Sequence, residues 1–264
     1  MGAVPDLTEL MAAMKRQAQP FALATVVRTA SATAAKAGAK AVILADGTVT
    51  AGWIGGGCAR GAVLRAARAA LADGQPRLIS VQPEDQLQAH HVVAGEIRDG
   101  VEFARNACAS QGVMDIFVEP VLPLPRLRVH GASPVALVLL RLAPEFGFAV
   151  TAEGPAEALG QSEPTSAQDY VVVATQGRGD IDALKAALAA DATYTAFVGS
   201  TRKVATLKAA MLAEGYTAAQ LARLHGPAGM AIGAVTAEEI ALSILAEMVR
   251  ERRGRPSAAK ADNA

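Results

Sequence analysis

Paired cysteines are absent from this chain. Its 264 residues carry two, Cys58 and Cys108, with no C-x-x-C spacing, which excludes a disulfide framework and a structural zinc site built on thiolate pairs. Charge excess is absent too: 25 basic and 25 acidic side chains balance to a formal net charge of +0, so no electrostatic surplus draws the chain to nucleic acid or to a membrane surface. No uncharged apolar run reaches the roughly 20 residues of a membrane span. The first residues show no basic, apolar and cleavage-site succession. There is no G-x-x-x-x-G-K-[ST] stretch, which excludes a P-loop mechanism. Aromatics make up only 4% of the residues, yet 52% are hydrophobic, enough for one large or two medium domains. The expectation is a soluble cytoplasmic chain with an aliphatic core.

What the chain does have is glycine in telling places. Gly55, Gly56 and Gly57 precede Cys58, and the Ala-, Leu- and Arg-rich stretch 60–71 that follows reads as a helix. Consecutive glycines let a ligand approach the backbone and tolerate positive φ. A cysteine at a helix start has its thiolate favoured by free N–H groups and the dipole. Such a turn suits an anion, a metal or a sulfur-bearing ligand, with Cys58 as the reactive or metal-binding group. The plainer alternative is a tight strand-to-helix turn with cysteine as filling.

Before and after this loop the pattern is mixed. Helical spacing over 7–14, with Asp6 or Thr8 as cap, is followed by strand patterns at 21–29, 39–44, 49–53, 77–81 and 113–119. Asp46-Gly47 marks a hairpin between two of them. The stretch 83–110 gives no clear pattern. Its adjacent His90 and His91 diverge on either a strand or a helix, a poor metal pair. Cys108, among small residues, reads as packing. Lys36 and Lys40 read as solvated surface charge, with a contribution near the glycine loop as the alternative.

Pro120, Pro123 and Pro125 then suit neither a helix nor a central strand. A domain boundary is placed there: 1–119, a linker at 120–126, a second domain at 127–253, and a small polar tail at 254–264 read as disordered. The second domain alternates strand and helix, with strands at 127–130, 148–152, 170–175 and 194–198 and helices at 134–145, 181–190 and 203–214. Apolar strands alternating with helices predict a Rossmann-like, doubly wound parallel sheet. Thr236 to Glu239 forms a capping box for a last helix, which ends among Arg250, Arg252 and Arg253.

Ligands of open α/β sheets bind at the carboxyl ends of the strands. The first turn there carries Gly131 and Ala136 of a dinucleotide fingerprint, but Ser133 stands where the middle glycine belongs. Its side chain obstructs a pyrophosphate, although its hydroxyl can donate to one phosphate. Glu153 lies where an acidic residue would meet a ribose. Three further loops offer Gln176, Arg178 and Asp180; Ser200, Arg202 and Lys203; and His225 and Gly229. Arg202 and Lys203 suit negative charge, and Asp180 and His225 suit polar anchoring. The alternatives are an Arg178–Asp180 ion pair ordering its own loop, a capping histidine, and a sheet with a repurposed site.

These motifs together resemble the XdhC/CoxI family. The resemblance rests on Gly52-Trp53-Ile54-Gly55-Gly56-Gly57-Cys58, Ala174-Thr175-Gln176-Gly177-Arg178-Gly179-Asp180, Phe197-Val198-Gly199-Ser200, Pro227-Ala228-Gly229 and Ile232-Gly233-Ala234, with the stretch 238–247. It spans nearly the whole chain. Trp53 and the loop 33–38 look most like the CoxF branch associated with aerobic carbon monoxide dehydrogenase. The resemblance implies a maturation factor for molybdenum hydroxylases of the xanthine dehydrogenase and carbon monoxide dehydrogenase type. Such a factor binds molybdenum cofactor (molybdopterin cytosine dinucleotide), supports its sulfuration and delivers it to the apo molybdenum hydroxylase. It further implies Cys58 at the metal end, bound, shielding or sulfur-receiving, and the nucleotide held in the Rossmann crevice in a cleft between the domains. Implied partners are the apoenzyme, a sulfurtransferase or cofactor-biosynthesis protein, and a second copy in a homodimer, although no self-complementary surface is legible in the sequence. The chain departs from many relatives, which carry G-A-G-H at the first Rossmann turn and Asp-Pro-Arg after the second strand. The competing expectations are an NAD(P)-dependent oxidoreductase with His225 as acid/base, a nucleotide-binding regulatory module, and a docking protein with a vestigial pocket.

Overall fold

The computed structural model describes residues 6–254 apart from 32, 34, 108–110, 154–168, 178 and 191, and without the side chain of Cys58. The readings for Cys108, Arg178, the cysteine thiol and the tail beyond Gly254 therefore lie outside the described residues. The chain divides into two compact units, with the change between Pro123 and Leu124.

In the first unit, helix α1 (Leu7–Arg16) starts where Asp6 accepts from the Thr8 N–H at 3.2 Å, the cap its sequence offers. Strands β1 (Phe21–Ala30), β2 (Lys40–Ile43) and β3 (Val49–Gly52) follow, the last two joined antiparallel through Asp46 and Gly47. Helix α2 (Gly57–Asp73) ends at Gly74, whose left-handed φ of 72° releases the chain into β4 (Arg77–Gln82). The stretch without a clear pattern supplies α3 (Glu84–Ala89) and a hairpin of β5 (Ile97–Arg98) and β6 (Val101–Arg105). Asp99-Gly100, both at positive φ, makes its turn.

Strand β7 (Val113–Val121) closes a seven-stranded sheet of order β3-β2-β1-β7-β4-β6-β5. The sequence places no strand at Pro120, yet β7 runs through it. Pro120 pairs only with Ala22 of β1, since the β4 register ends at Val118, so the missing N–H leaves no ladder broken on the β4 side. Helix α2 packs one face of the sheet with Ala62, Val63, Ala66, Ala67 and Ala70, while Arg65 and Arg68 stay exposed. Small residues at helical spacing bring its backbone close to the sheet, where Ile79, Ile116 and Val118 complete the core. Each fully buried aliphatic there contributes about 2 kcal/mol.

The second unit alternates β8 (Arg126–His130), α4 (Pro134–Leu142) with a 3-10 turn (Ala143–Phe146), β9 (Ala149–Glu153), β10 (Asp169–Val173), α5 (Asp180–Ala189), β11 (Tyr194–Phe197) and α6 (Thr201–Ala213). Then come the short α7 (Ala218–Ala222) and β12 (Leu224–His225), which the sequence reading passed over, and α8 (Ala237–Gly254). All five strands are parallel, in the order β12-β11-β10-β8-β9. The chain leaves β8 toward β9 on one side and returns with β10 on the other. The switch point therefore lies between the ends of β8 and β10, which is where a doubly wound sheet forms its crevice. Helices α4 and α8 share one apolar core with Leu127, Val129 and Tyr170, and α5 and α6 share another with Val171, Val173 and Phe197.

Candidate functional site

The candidate site residues fall into two sets, one in each unit. In the first, Gly52 ends β3 at φ 81°, where a Cβ would fall 2.0 Å from the Lys40 carbonyl oxygen. The Trp53 N–H donates to that oxygen at 2.9 Å, leaving the indole 53% exposed. Ile54 is buried, and Gly55 at φ 113° turns the chain into α2. Gly56 is the N-cap and offers no side-chain acceptor, the first turn holds no acidic residue, and Cys58 is the second residue of the helix. A Cβ at Gly56 or Gly57 would meet nothing within 4 Å. Among the described residues no side chain caps the first N–H groups of α2, and open space lies over the two glycines. Lys40 donates to Thr25 Oγ1 at 2.9 Å and Lys36 is exposed. His90 bonds Gln82 Oε1 through Nδ1 at 3.0 Å, while His91 is exposed at φ 52°.

In the second unit, Gly131 follows β8 at φ 107°, and a Cβ there would lie 2.4 Å from the Ala174 carbonyl oxygen. Only glycine lets the β8 and β10 ends close this tightly. Ser133 is the N-cap of α4: its Oγ accepts from the Ala136 N–H at 3.1 Å and the residue is buried. Glu153 ends β9 and accepts from Arg128 Nε at 2.9 Å, with both side chains nearly buried. His130, at the end of β8, is 3% exposed, and its Nδ1 has no hydrogen-bond partner among the described residues. Burial holds its pKa down to about 4 against the pull of Glu153, assisted by Arg128, so the ring is neutral at pH 7.

Asp180 opens α5 and draws the next loops together. It accepts from the Thr175 hydroxyl, from the Gly177 N–H at 3.1 Å and from Lys203 Nζ at 2.7 Å. Burial opposes its charge, but Lys203, Thr175 and Gly177 outweigh that and hold its pKa below the ordinary carboxylate value. Gln176 stands exposed at φ 55° on the loop between them. Ser200 caps α6 by accepting from the Lys203 N–H at 3.3 Å. Arg202 is exposed and has no ion pair among the described residues.

The sequence reading missed Glu247. This residue of α8, 7% exposed, accepts from the Tyr194 hydroxyl at 2.6 Å, the Gly229 N–H at 2.8 Å and, at 3.3 Å, His225 Nδ1 and Arg250. Burial alone would raise its pKa; the donors outweigh it and lower it. The His225 ring packs against Tyr194 with centroids 4.5 Å apart and the planes tilted by 41°. Gly229, at φ 96°, has no room for a Cβ, which would fall 2.3 Å from Ser243 Oγ. One signal was available: an acid standing between Ile244 and Met248 on the apolar arc of α8 must have partners inside.

Chemically, the first unit presents a helix start suited to an anionic or soft-metal ligand. The second places its glycine turn and three loops along the carboxyl edge of a parallel sheet. No group of three or more His, Cys, Asp or Glu side chains that could hold a metal ion occurs among the described residues. None of the described helices is long and apolar enough to cross a membrane.

A mixed α/β unit with a glycine loop at a helix start, joined to a Rossmann-like parallel-sheet unit, defines the class of protein. Residues 14–82 match the XdhC and CoxI family and residues 127–248 match the XdhC Rossmann domain. Each of the two units is thus similar to a part of the XdhC and CoxI family. An uncharacterized protein of Escherichia coli (strain K12), YqeB, is 27% identical over 266 residues, covering 93% of this chain. The chain spans about half, 46%, of that relative's length. A Bacillus halodurans crystal structure described as a xanthine dehydrogenase aligns over 96% of this chain and 97% of its own at 18% identity. The TM-score of that superposition is 0.46.

Proposed function

We propose that this chain is an accessory factor of the xanthine dehydrogenase system, which binds molybdenum cofactor as cargo and assists its sulfuration and insertion into an apo molybdenum hydroxylase. The observation that carries the reading is Cys58 on the first turn of α2, behind two glycines with open space over them, inside the segment that matches the XdhC and CoxI family. A thiolate at a helix start is a soft ligand and a sulfur acceptor, the two properties needed at the metal end of such a cargo. Gly55, Gly56 and Gly57 leave room for the cargo, and the α2 N–H groups meet its negative charge. The branch associated with carbon monoxide dehydrogenase, a cytoplasmic setting and a sulfurtransferase as second partner belong to the same proposal.

For the nucleotide part of the cargo the second unit offers the Gly131 turn, the α6 start at Ser200, and Arg202, a cation with no ion pair among the described residues. Two observations weigh against a dinucleotide in the pose usual for oxidoreductases. Ser133 is buried as a helix cap where a glycine would admit the pyrophosphate. Glu153 is already committed to Arg128 instead of facing a ribose.

The test is anaerobic loading of the protein and of its Cys58→Ser variant with molybdenum cofactor. Retained metal and pterin are assayed, followed by activation of an apo hydroxylase. Loss of retention or of activation in the variant is expected. Equal retention and equal activation remove Cys58 from the mechanism. Tight NAD(P)H binding with turnover of a small substrate replaces the reading by an oxidoreductase.

A further inference from the structure

Aromatic side chains are few in this chain, and most lie inside. Of its one tryptophan, three tyrosines and six phenylalanines, only Trp53 and Phe146 are exposed. Trp53 stands out furthest, at 53%. Its indole has no ring contact, no cation over its face and no hydrogen bond among the described residues. The backbone beneath it is fixed all the same. Gly52 before it admits no Cβ, its own N–H is held by the Lys40 carbonyl at 2.9 Å, and Ile54 after it is buried in the core. A large flat surface is thus held in the open, without the burial energy that tryptophan ordinarily supplies to a core.

The surroundings are basic. Residues 32–72 carry Lys36, Lys40, Arg60, Arg65 and Arg68 against a single acid, Asp46. Asp46 serves its own turn, accepting from the Thr48 N–H at 2.7 Å. Lys40, whose carbonyl holds Trp53 across the end of the β2–β3 hairpin, donates its ammonium to the Thr25 hydroxyl at 2.9 Å and makes no ion pair among the described residues. A bare indole beside a cation without a carboxylate suits a flat heteroaromatic ring that carries negative charge. A protein surface would ask for further exposed apolar side chains beside the indole, and its chain neighbours, Gly52 and the buried Ile54, add none. We propose that Trp53 is the stacking platform for the pterin ring of the cargo, with Lys40 meeting the phosphate on the pterin side chain. The inference rests on the cargo reading above and gives the pterin its own residue. In molybdenum cofactor the metal is held by a dithiolene borne on the pterin, so ring and metal share one small site. Trp53 and Cys58, five residues apart, stand at the two ends of the same glycine loop.

Trp53 is the single tryptophan, so indole emission reports on it alone. Titration of the full chain with pterin-6-carboxylate, a flat anionic pterin without metal, should quench that emission saturably, with affinity read in parallel by calorimetry. Trp53→Ala should weaken binding about tenfold or more, Trp53→Phe should keep most of it, and Lys40→Gln should weaken it about threefold. Thermal melts of these surface variants should stay with the wild type. Failure of the cargo reading shows instead in the loading experiment with Cys58→Ser, whose quenching by this metal-free probe should match the wild type. No binding of the probe by the wild type overturns the platform, as does binding that Trp53→Ala leaves unchanged. Equal quenching by cytidine monophosphate assigns the indole to the nucleotide end and overturns the pterin assignment, and equal quenching by inorganic phosphate overturns stacking altogether.

Discussion

The Asp180 carboxylate and the Lys203 ammonium, on the first turns of two neighbouring helices, meet at 2.7 Å at the carboxyl edge of the parallel sheet. Sequence alone offers both as ligand groups; the structure has them neutralise each other. Lys203 is about a third exposed, so Lys203→Ala is expected to cost only about 1 kcal/mol, read as a lowered urea midpoint at pH 7. The folded carboxyl lies below its ordinary pKa, so its stabilisation is present above that value and fades as pH falls through the folded one. The variant should therefore lose less stability than the wild type between pH 7 and pH 3; an equal loss would break the link to this pair. An anionic ligand at this edge then depends on Arg202, and Arg202→Ala should weaken nucleotide binding more than it changes stability.

His130 gives a second pH signature of the same sign. Its folded pKa of about 4 lies below the ordinary 6.5, so folding disfavours protonation. Stability should be full above about pH 6.5 and fall by up to about 3 kcal/mol as pH drops toward 4. The imidazole resonances should report a neutral ring at pH 5.5, and a ring half protonated there contradicts the burial.

Glu247 joins β11, β12 and the loop carrying Gly229 through three donors. Tyr194→Phe removes the shortest of these bonds and should cost about 1–2 kcal/mol. Glu247→Ala leaves the Tyr194 hydroxyl and the Gly229 N–H without an acceptor and should cost about 2–4 kcal/mol. Amide exchange across residues 225–233 should speed up in both variants, and unchanged exchange would show that the loop is held by other contacts.

Glycine substitutions separate fold from site. Gly131→Ala places a methyl against the Ala174 carbonyl at positive φ and should cost about 3 kcal/mol or more in thermal melts. Gly57→Ala meets nothing within 4 Å and should leave stability within about 0.5 kcal/mol of wild type. That methyl nevertheless enters the open space over α2, so cargo retention should fall while the melt stays put. Unaltered retention would locate the cargo elsewhere.

Most elements are readable from local chemistry. Asp6 caps α1, Asp46-Gly47 turns the β2–β3 hairpin, Gly74 stops α2, and Thr236 with Glu239 opens α8, because each of these signals acts within four residues. Asp99-Gly100 is an equally local signal, but it stands in a polar stretch with no clear pattern, and β5 beside it is only two residues long. Strand β7 continues through Pro120 for a reason no local rule contains: β4 has ended on that side.

Local chemistry sets the alternation of strands and helices, the glycine turns at Gly55 and Gly131, and the position of Cys58 just behind a helix start. Those features depend on backbone freedom and on apolar spacing, which neighbouring residues set. Which charged groups remain available to a ligand depends on packing between distant segments. Arg128 takes Glu153, Lys203 takes Asp180, and Glu247 accepts from His225, because parallel strands and packed helices bring together side chains 22 to 25 residues apart and each buried carboxylate needs donors.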